Sequence, residues 1–283
     1  MTNAATRVRL EEALEPFVLA IDIGSTASRG DVFDASGRPL KGGRVKVPHH
    51  FTTAGDGTSE IDPDVVAGEV EQIVTEFAGR PVAGRIRGVA SDTFASSLVG
   101  VAEDRGAMTP CFTYADSRYA NQVIQLRQDL NELEVQQRTG CRLHTSYLTP
   151  RLKWLHDTDP DTFGAVRHWM SLGEYVYLRL LGVTAAGTST AAWTGMLDRR
   201  TATGPPSCWT PVASQLSSFR RSAIQTARST TLMKRSAAGG RPWPTRCGFR
   251  LSPMASRATL GPAPGMNRRW RYQPLLAVQC GFS

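Results

Sequence analysis

A carboxylate at the end of an apolar run, followed at once by glycine and two hydroxyl side chains, is a pattern that can hold a phosphate. Asp22, Gly24, Ser25 and Thr26 lie at and just beyond the end of "FVLAIDI" (17–23), and Arg29 follows three residues later. Turn N–H groups and hydroxyls can donate to phosphate oxygens. The Asp22 carboxylate can hold a hydrated Mg²⁺, which prefers oxygen ligands and keeps its waters, and Arg29 adds positive charge. The same residues also suit an ordinary hairpin in which Asp22 bonds local backbone. A second constellation is "TYADSRY" (113–119). Asp116 can accept from sugar hydroxyls there, and Arg118 can grip a carboxylate or phosphate in bidentate fashion. Asp116 would equally serve as the cap of a following helix. In "GCRLHTSY" (140–147) a Cys and a His lie close together, but packing or local bonding accounts for both, and the spacing is not that of a metal site. His49 and His50 fall in a loop and take no role. Tyr175, Leu178 and Leu181 form a stripe that reads as core.

The elements that must position these groups follow from pattern. Residues 17–23 are a continuous apolar run ending in Asp and Ile, the mark of a buried strand. "DVFDASGRPLKGGRVKV" (31–47) reads as two further strands around a turn at Ser36-Gly37, giving three antiparallel strands. Asp62 is an N-cap, Pro63 takes the first helical position, and Val66, Val70, Ile73, Val74 and Phe77 fall on one face before Gly79 stops the helix. Strands are predicted at 86–91 and 97–104, and one long polar helix over 118–138, ended by Gly140. Helices follow in "PRLKWLHD" and "GEYVYLRLLG". Strands first, then strands alternating with helices, predicts an α/β domain with a mixed sheet. In such sheets ligands bind beyond the strand ends.

Composition divides the chain. All 25 acidic residues lie in 1–200 with 21 of the 33 Lys and Arg, so that part carries −4. Residues 201–283 hold the other 12 basic residues and no acid, so they carry +12 and produce the net +8. No 18-residue apolar run exists, so no membrane span is expected. The first 16 residues have no apolar core of a secretory signal. Five cysteines without metal-type spacing fit a reducing cytoplasm. A polycationic segment can bind nucleic acid without sequence preference, but this one has neither regular Arg/Lys spacing nor an aromatic stacking pattern. Nucleic acid is therefore not the expected partner.

Six segments in order carry a family likeness: "LAIDIGSTASRGDVFDASGRPL", "TFASSLVGV", "TPCFTYADSRYANQ", "RTGCRLHTSYLTPRLKWL", "HWMSLGEYVYLRLLG" and "TSTAAWTGMLDRRT". Over about residues 16–201 the chain resembles the FGGY carbohydrate kinases of the actin/hexokinase/Hsp70-like superfamily, and within them the gluconate and xylulose kinases. The resemblance implies an RNase H-like N-terminal domain, ATP and Mg²⁺ as cofactors, and in-line transfer of the γ-phosphoryl group to a sugar or sugar acid, with a carboxylate base taking the hydroxyl proton. By motif, Asp22 (to Mg²⁺ through water), Gly24, Ser25, Thr26 and Arg29 fall at the phosphates. Thr93, Ser96, Asp116 and Arg118 fall at the sugar. Close relatives tend to carry Trp-His after "TF"; Ala95 and Ser96 stand there instead, which enlarges and neutralises that wall.

The resemblance also implies a Trp, a "PELLDA"-type helix and a later Asp-Gly motif bearing the base, and none is present as written. A codon argument accounts for this. Taking the last base of one codon with the first two of the next forces Asp from Trp209-Thr210, Gly from Met254-Ala255 and Glu from Met266-Asn267. With allowed wobble choices, 203–210 can read "WAPELLDA", 217–221 "QLPPI" and 253–270 "DGFASNLGAGAGDESTVA". The expectation is a single-base shift near codons 200–203. It divides the chain into an extension (1–15), a kinase N-terminal domain (16–201) and an out-of-frame, disordered tail (202–283). The chain is then truncated and inactive, with no catalytic base in place. It is compatible with a homodimer. The rival expectations are a sugar-sensing regulator of the same superfamily, which would need a helix-turn-helix upstream, and a nucleic-acid-binding tail.

Overall fold

The computed structural model describes residues 7–184, 188–201, 249–250 and 279–280. Three strands open the domain: β1 (Phe17–Ile23), β2 (Ala27–Phe33) and β3 (Pro39–Pro48). Two short ones follow, β4 (Thr52–Thr53) and β5 (Ser59–Ile61), then helix α1 (Pro63–Ala78). Next come β6 (Ile86–Thr93), β7 (Val99–Val101), β8 (Cys111–Phe112), α2 (Ala120–Asp129), α3 (Glu132–Thr139), α4 (Leu148–Thr158) and α5 (Pro160–Ala165). β9 (His168–Met170), α6 (Leu172–Leu181) and α7 (Thr188–Trp193) complete the domain. The tail expectation falls outside the described residues, apart from β10 (Phe249–Arg250) and β11 (Gln279–Cys280), which pair antiparallel.

The main sheet has the order β3-β2-β1-β6. β1 pairs antiparallel with β2 and parallel with β6, so the sheet is mixed, as the pattern predicts. Its core face is built by alternation. Phe17, Leu19, Ile21 and Ile23 point into a cluster with Val66, Val70, Ile73 and Phe77 of α1 and with Leu172, Tyr175 and Val176 of α6. Val18 and Asp22 face the other way and are exposed. The expectation of a fully buried strand is thus corrected: β1 is apolar at Val18 and Ala20, but only one face is fully covered. A second cluster, with Leu98, Phe112, Val123, Leu126, Leu148, Leu152 and Trp169, lies among α2, α4 and β7–β9.

Local chemistry sets the boundaries. The Asp62 carboxylate accepts from the N–H groups of Asp64 and Val65, and Pro63 starts α1. Two expected elements are corrected. The single helix over 118–138 is two helices, because Leu130 is extended and tucks into the second cluster while Asn131 caps α3 through Glu134 N–H. The strand expected over 97–104 shortens to β7, since the chain folds back at 102–106, where Ala102 N–H donates to Gly106 O.

The β2–β3 turn at Ser36-Gly37 is organised by the buried Asp34. Its carboxylate accepts from Ser36 N–H (3.0 Å), Arg38 N–H (2.9 Å) and the Arg38 guanidinium (2.7 Å). Burial alone would raise this carboxyl. The bonds from Arg38, Ser36 and Leu14 outweigh burial and hold it well below the usual carboxylate range. A depressed pKa stabilises the fold above the unfolded carboxylate pKa of about 3.9, and that stabilisation is lost as pH falls below it. Asp34→Asn should therefore melt lower at pH 7 and show a flatter decline from about pH 4 to about pH 2, read by thermal melts across that range.

Gly30 lets α1 lie directly on β2. A Cβ there would meet Ile73 Cγ2 at 2.5 Å and Phe77 Cε2 at 2.9 Å. Gly30→Ala should cost about 1–3 kcal/mol by overpacking, measured as a lowered urea midpoint with an unchanged m-value.

Candidate active site

The turn between β1 and β2 is tight. Gly24 N–H donates to Ala27 O at 3.1 Å. A Cβ at Gly24 would come within 2.8 Å of the Arg29 guanidinium, so glycine is what admits that approach. Asp22 does not bond local backbone. Its Oδ2 accepts from Arg29 Nη1 at 3.0 Å, and Arg29 Nη2 reaches Thr26 Oγ1 at 3.3 Å. The register explains this: Asp22 stands opposite Arg29 on β2 and opposite Asp92 on β6. Both Asp22 and Asp92 are exposed, so their like charges are softened by water and by Arg29. An exposed carboxylate, a small-residue turn and oxygen donors are a set that fits Mg²⁺ with phosphate.

The second group is differently built. Asp116 is fully buried. It caps no helix by side chain: α2 begins after Tyr119 without a capping bond. Its carboxylate accepts from Arg118 Nη2 at 2.6 Å, Arg118 N–H at 3.2 Å and Ser59 N–H at 3.3 Å. Arg118 also bonds Glu60 and lies over the Trp154 ring at 4.7 Å. Its guanidinium is thus engaged with two carboxylates of the chain itself. Burial would lower its pKa; the bonds and charges of Asp116 and Glu60 outweigh that and raise it.

Thr93 ends β6, in register with Ile23, and Phe94 N–H donates to Ile23 O at 3.1 Å. Thr93 therefore sits at the same sheet end as Asp22. Three rings link this end to Asp116. Phe94 meets Phe51 edge-on at 5.2 Å, and Tyr114, two residues before Asp116, lies 6.2 Å from Phe94. Ser96 has φ +57°, a left-handed conformation uncommon for a non-glycine residue and one that tends to be kept at functional sites. It is 7% exposed, and its Oγ has no hydrogen-bond partner among the described residues.

Arg151 is the residue that sequence reasoning missed here. It is completely buried, and its guanidinium donates to Ser96 O (2.8 Å), Phe112 O (3.2 Å), Thr113 O (3.0 Å) and Tyr119 Oη (2.7 Å). One side chain thereby fixes the backbone beside two candidate substrate residues. Nothing local in "PRLKWL" marks an arginine as buried. His49, given no role, is also buried and bonds the Gly24 carbonyl. Cys141 and His144 do not pair: the thiol reaches Ala192 O at 3.5 Å and the imidazole bonds Ser146. Burial pushes the Cys111 thiol up to about 12, which removes it as a nucleophile.

The class that this fold and site define has relatives. A match to the FGGY family of carbohydrate kinases, N-terminal domain, spans residues 17–204, and the chain belongs to that family. A gluconokinase of Bacillus subtilis (strain 168) is 23% identical over 182 residues, 64% of this chain and 35% of that protein. An autoinducer-2 kinase of Klebsiella pneumoniae is 28% identical over 187 residues, 64% of this chain and 35% of that protein. The crystal structure of gluconate kinase from Lactobacillus acidophilus superposes with TM-score 0.66 at 22% identity, covering 74% of this chain and 41% of that one. The fold is thus that of the actin/hexokinase-like sugar kinases, and the chain spans little more than a third of the curated relatives' length. Among the described residues no helix is long and apolar enough to cross a membrane.

Replacing Arg151 by Met should leave buried carbonyls without donors. A loss of about 3 kcal/mol or more is expected, seen in urea unfolding, with the largest amide-shift changes at Ser96 and Thr113 by NMR.

Proposed function

We propose that residues 16–201 are the sugar-binding half of an ATP-dependent carbohydrate kinase acting on a gluconate- or xylulose-like sugar or sugar acid. The observation that supports this best is the meeting of the phosphate turn with Thr93 at one sheet end, joined by aromatic rings to the Asp116 loop. Mg²⁺, when bound with ATP, supplies charge neutralisation at the transferring phosphoryl group. Asp22 would hold it through water, with Arg29 shared between that carboxylate and the phosphates. Ser25 and Thr26 would donate to phosphate oxygens. Asp116, paired with Arg118, would accept from sugar hydroxyls. Ser96, with its unpartnered hydroxyl, would donate to the substrate where relatives use a larger wall.

The base is expected in the stretch now written "PMASRATLGPAPGMNRRW". We place the frame shift near codons 200–203. The family match ends at 204, six positions past Asp198, the last acidic residue. Asp198 itself is buried and bonded to Arg138, so the chain still belongs to the fold there. As written, the chain should bind substrate yet transfer little phosphate. Calorimetry with gluconate and with xylulose should detect binding by the chain, weakened at least tenfold in Asp116→Ala. A coupled ADP assay should show turnover near background. Equal binding by parent and variant would sink the sugar assignment. Robust turnover, or gene sequence around codon 200 with no open frame one base away, would sink the frame-shift account.

A further inference from the structure

Beneath the phosphate turn lies a buried relay. His49 and Glu69 are 7% and 6% exposed, and Ser28 is fully buried. His49 Nδ1 lies 2.8 Å from Glu69 Oε2, and Ser28 Oγ donates to the same oxygen at 2.6 Å. The other imidazole nitrogen, Nε2, lies 2.8 Å from the Gly24 carbonyl. A carbonyl only accepts, so Nε2 must carry a proton. The Nδ1–Glu69 contact needs one more, on either partner. The backbone of His49 adds a second tie, its N–H donating to Thr26 O at 3.1 Å. Two carbonyls of the turn are therefore drawn inward onto one residue.

That has a geometric consequence. In a trans peptide the N–H points opposite to the C=O. Holding the Gly24 carbonyl against His49 therefore turns the Ser25 N–H outward, to the side where Asp22 is exposed. Glu69 sits on α1, so the helix that covers the core also fixes the imidazole.

We propose that His49 is a positioning residue for the phosphate turn: its Nε2–H, oriented by Glu69 and Ser28, locks the Gly24 peptide so that Ser25 N–H is presented to a nucleotide phosphate oxygen. This rests on the kinase reading of the turn. Neither His49 nor Glu69 touches the nucleotide. They act through a peptide group already in place before it binds.

The test uses the full chain labelled with ¹⁵N. Without ligand, ring-nitrogen shifts should show Nε2 of His49 protonated at neutral pH, and His49→Phe should move the Ser25 amide resonance and lower its ¹⁵N order parameter. A bare Nε2, or a Ser25 amide unchanged in both shift and order, overturns the proposal. Titration with Mg·ATP should then shift the Ser25 amide. His49→Phe should weaken Mg·ATP by about tenfold, the worth of one positioning hydrogen bond, with gluconate affinity unchanged. His49→Gln, whose amide N–H can reach the Gly24 carbonyl, should recover most of the loss. If both variants bind Mg·ATP like the parent, or if both lose nucleotide and gluconate together with a fallen melting temperature, the role is structural and the proposal fails. Should His49→Phe not fold, Glu69→Ala, which leaves His49 Nδ1 and Ser28 Oγ without their shared partner, gives the same readouts. If the parent itself shows no Ser25 shift with Mg·ATP, the kinase reading of the turn fails, while the ligand-free experiment still decides whether His49 holds it.

Discussion

The position of β1 between an antiparallel and a parallel neighbour is the constraint on which the rest depends. One strand must satisfy two ladders at once, and the register places Asp22 beside Arg29 on one side and Asp92 on the other. Side chains alternate with period two, so a one-residue slip would bury Asp22 among α1 and expose Ile21 and Ile23. The core face therefore enforces the site face. Phe17, Leu19, Ile21 and Ile23 gain their burial only in the register that presents Asp22 at the sheet end. The turn that follows inherits its place from that choice, and so does Thr93, the last residue of β6.

The site's second half is held by a different kind of force. The large majority of buried polar groups are bonded, and around Asp116 the bonding is dense. Arg118 closes on Asp116 and Glu60, and Arg151 satisfies three backbone carbonyls and Tyr119. These two guanidiniums join β5, β8 and the loops at 96 and 113 without an apolar contact between those loops being required. The arrangement also explains the burial of Tyr119, whose hydroxyl would otherwise be unpaired. Burial raises that hydroxyl's pKa, the charge of Asp116 adds to it, and Arg151 opposes. The Asp116 region is thus tied together by hydrogen bonds between charged groups and backbone, whereas the β1–β2 turn takes its place from strand register, with His49 bonded to its Gly24 carbonyl.

What could be read from sequence divides along the same line. The hairpin, the Asp62 cap and the apolar face of α1 depend on neighbours within a turn or two, and each has a local chemical signature. The tight turn after β1 is legible as a set of residue types, because Asp, Gly, Ser and Thr stand together in the chain. The break between α2 and α3 was not, since a polar run reads as continuous helix until Leu130 is seen to need the second core. Nor were the long-range partners. His49 meets Glu69 across 20 positions, Arg118 meets Glu60 across 58, and Arg151 meets Ser96 across 55. No spacing rule connects them. Asp116 caps no helix, and its pairing with Arg118, which also reaches Glu60, is a feature that only the tertiary fold reveals.

Charge is where the whole-chain number misleads most. A net of +8 suggests an anionic partner, yet residues 1–200 carry −4, and the exposed carboxylates Asp22 and Asp92 stand together at the proposed phosphate end. A domain of that sign attracts no polyanion by its overall field. It can bind one only through local groups: the outward N–H of the turn, the guanidinium of Arg29, and a cation brought with the phosphates. Each acts within a few ångströms and is little affected by charge elsewhere, since exposed charges beyond about 8–10 Å are screened at physiological salt. Phosphate recognition would therefore persist if the basic residues of 202–283 were replaced, because none of the groups that point to it lies there. The overall charge describes the tail, and the proposed chemistry would be set by the few residues at the end of β1 and in the turn beyond it.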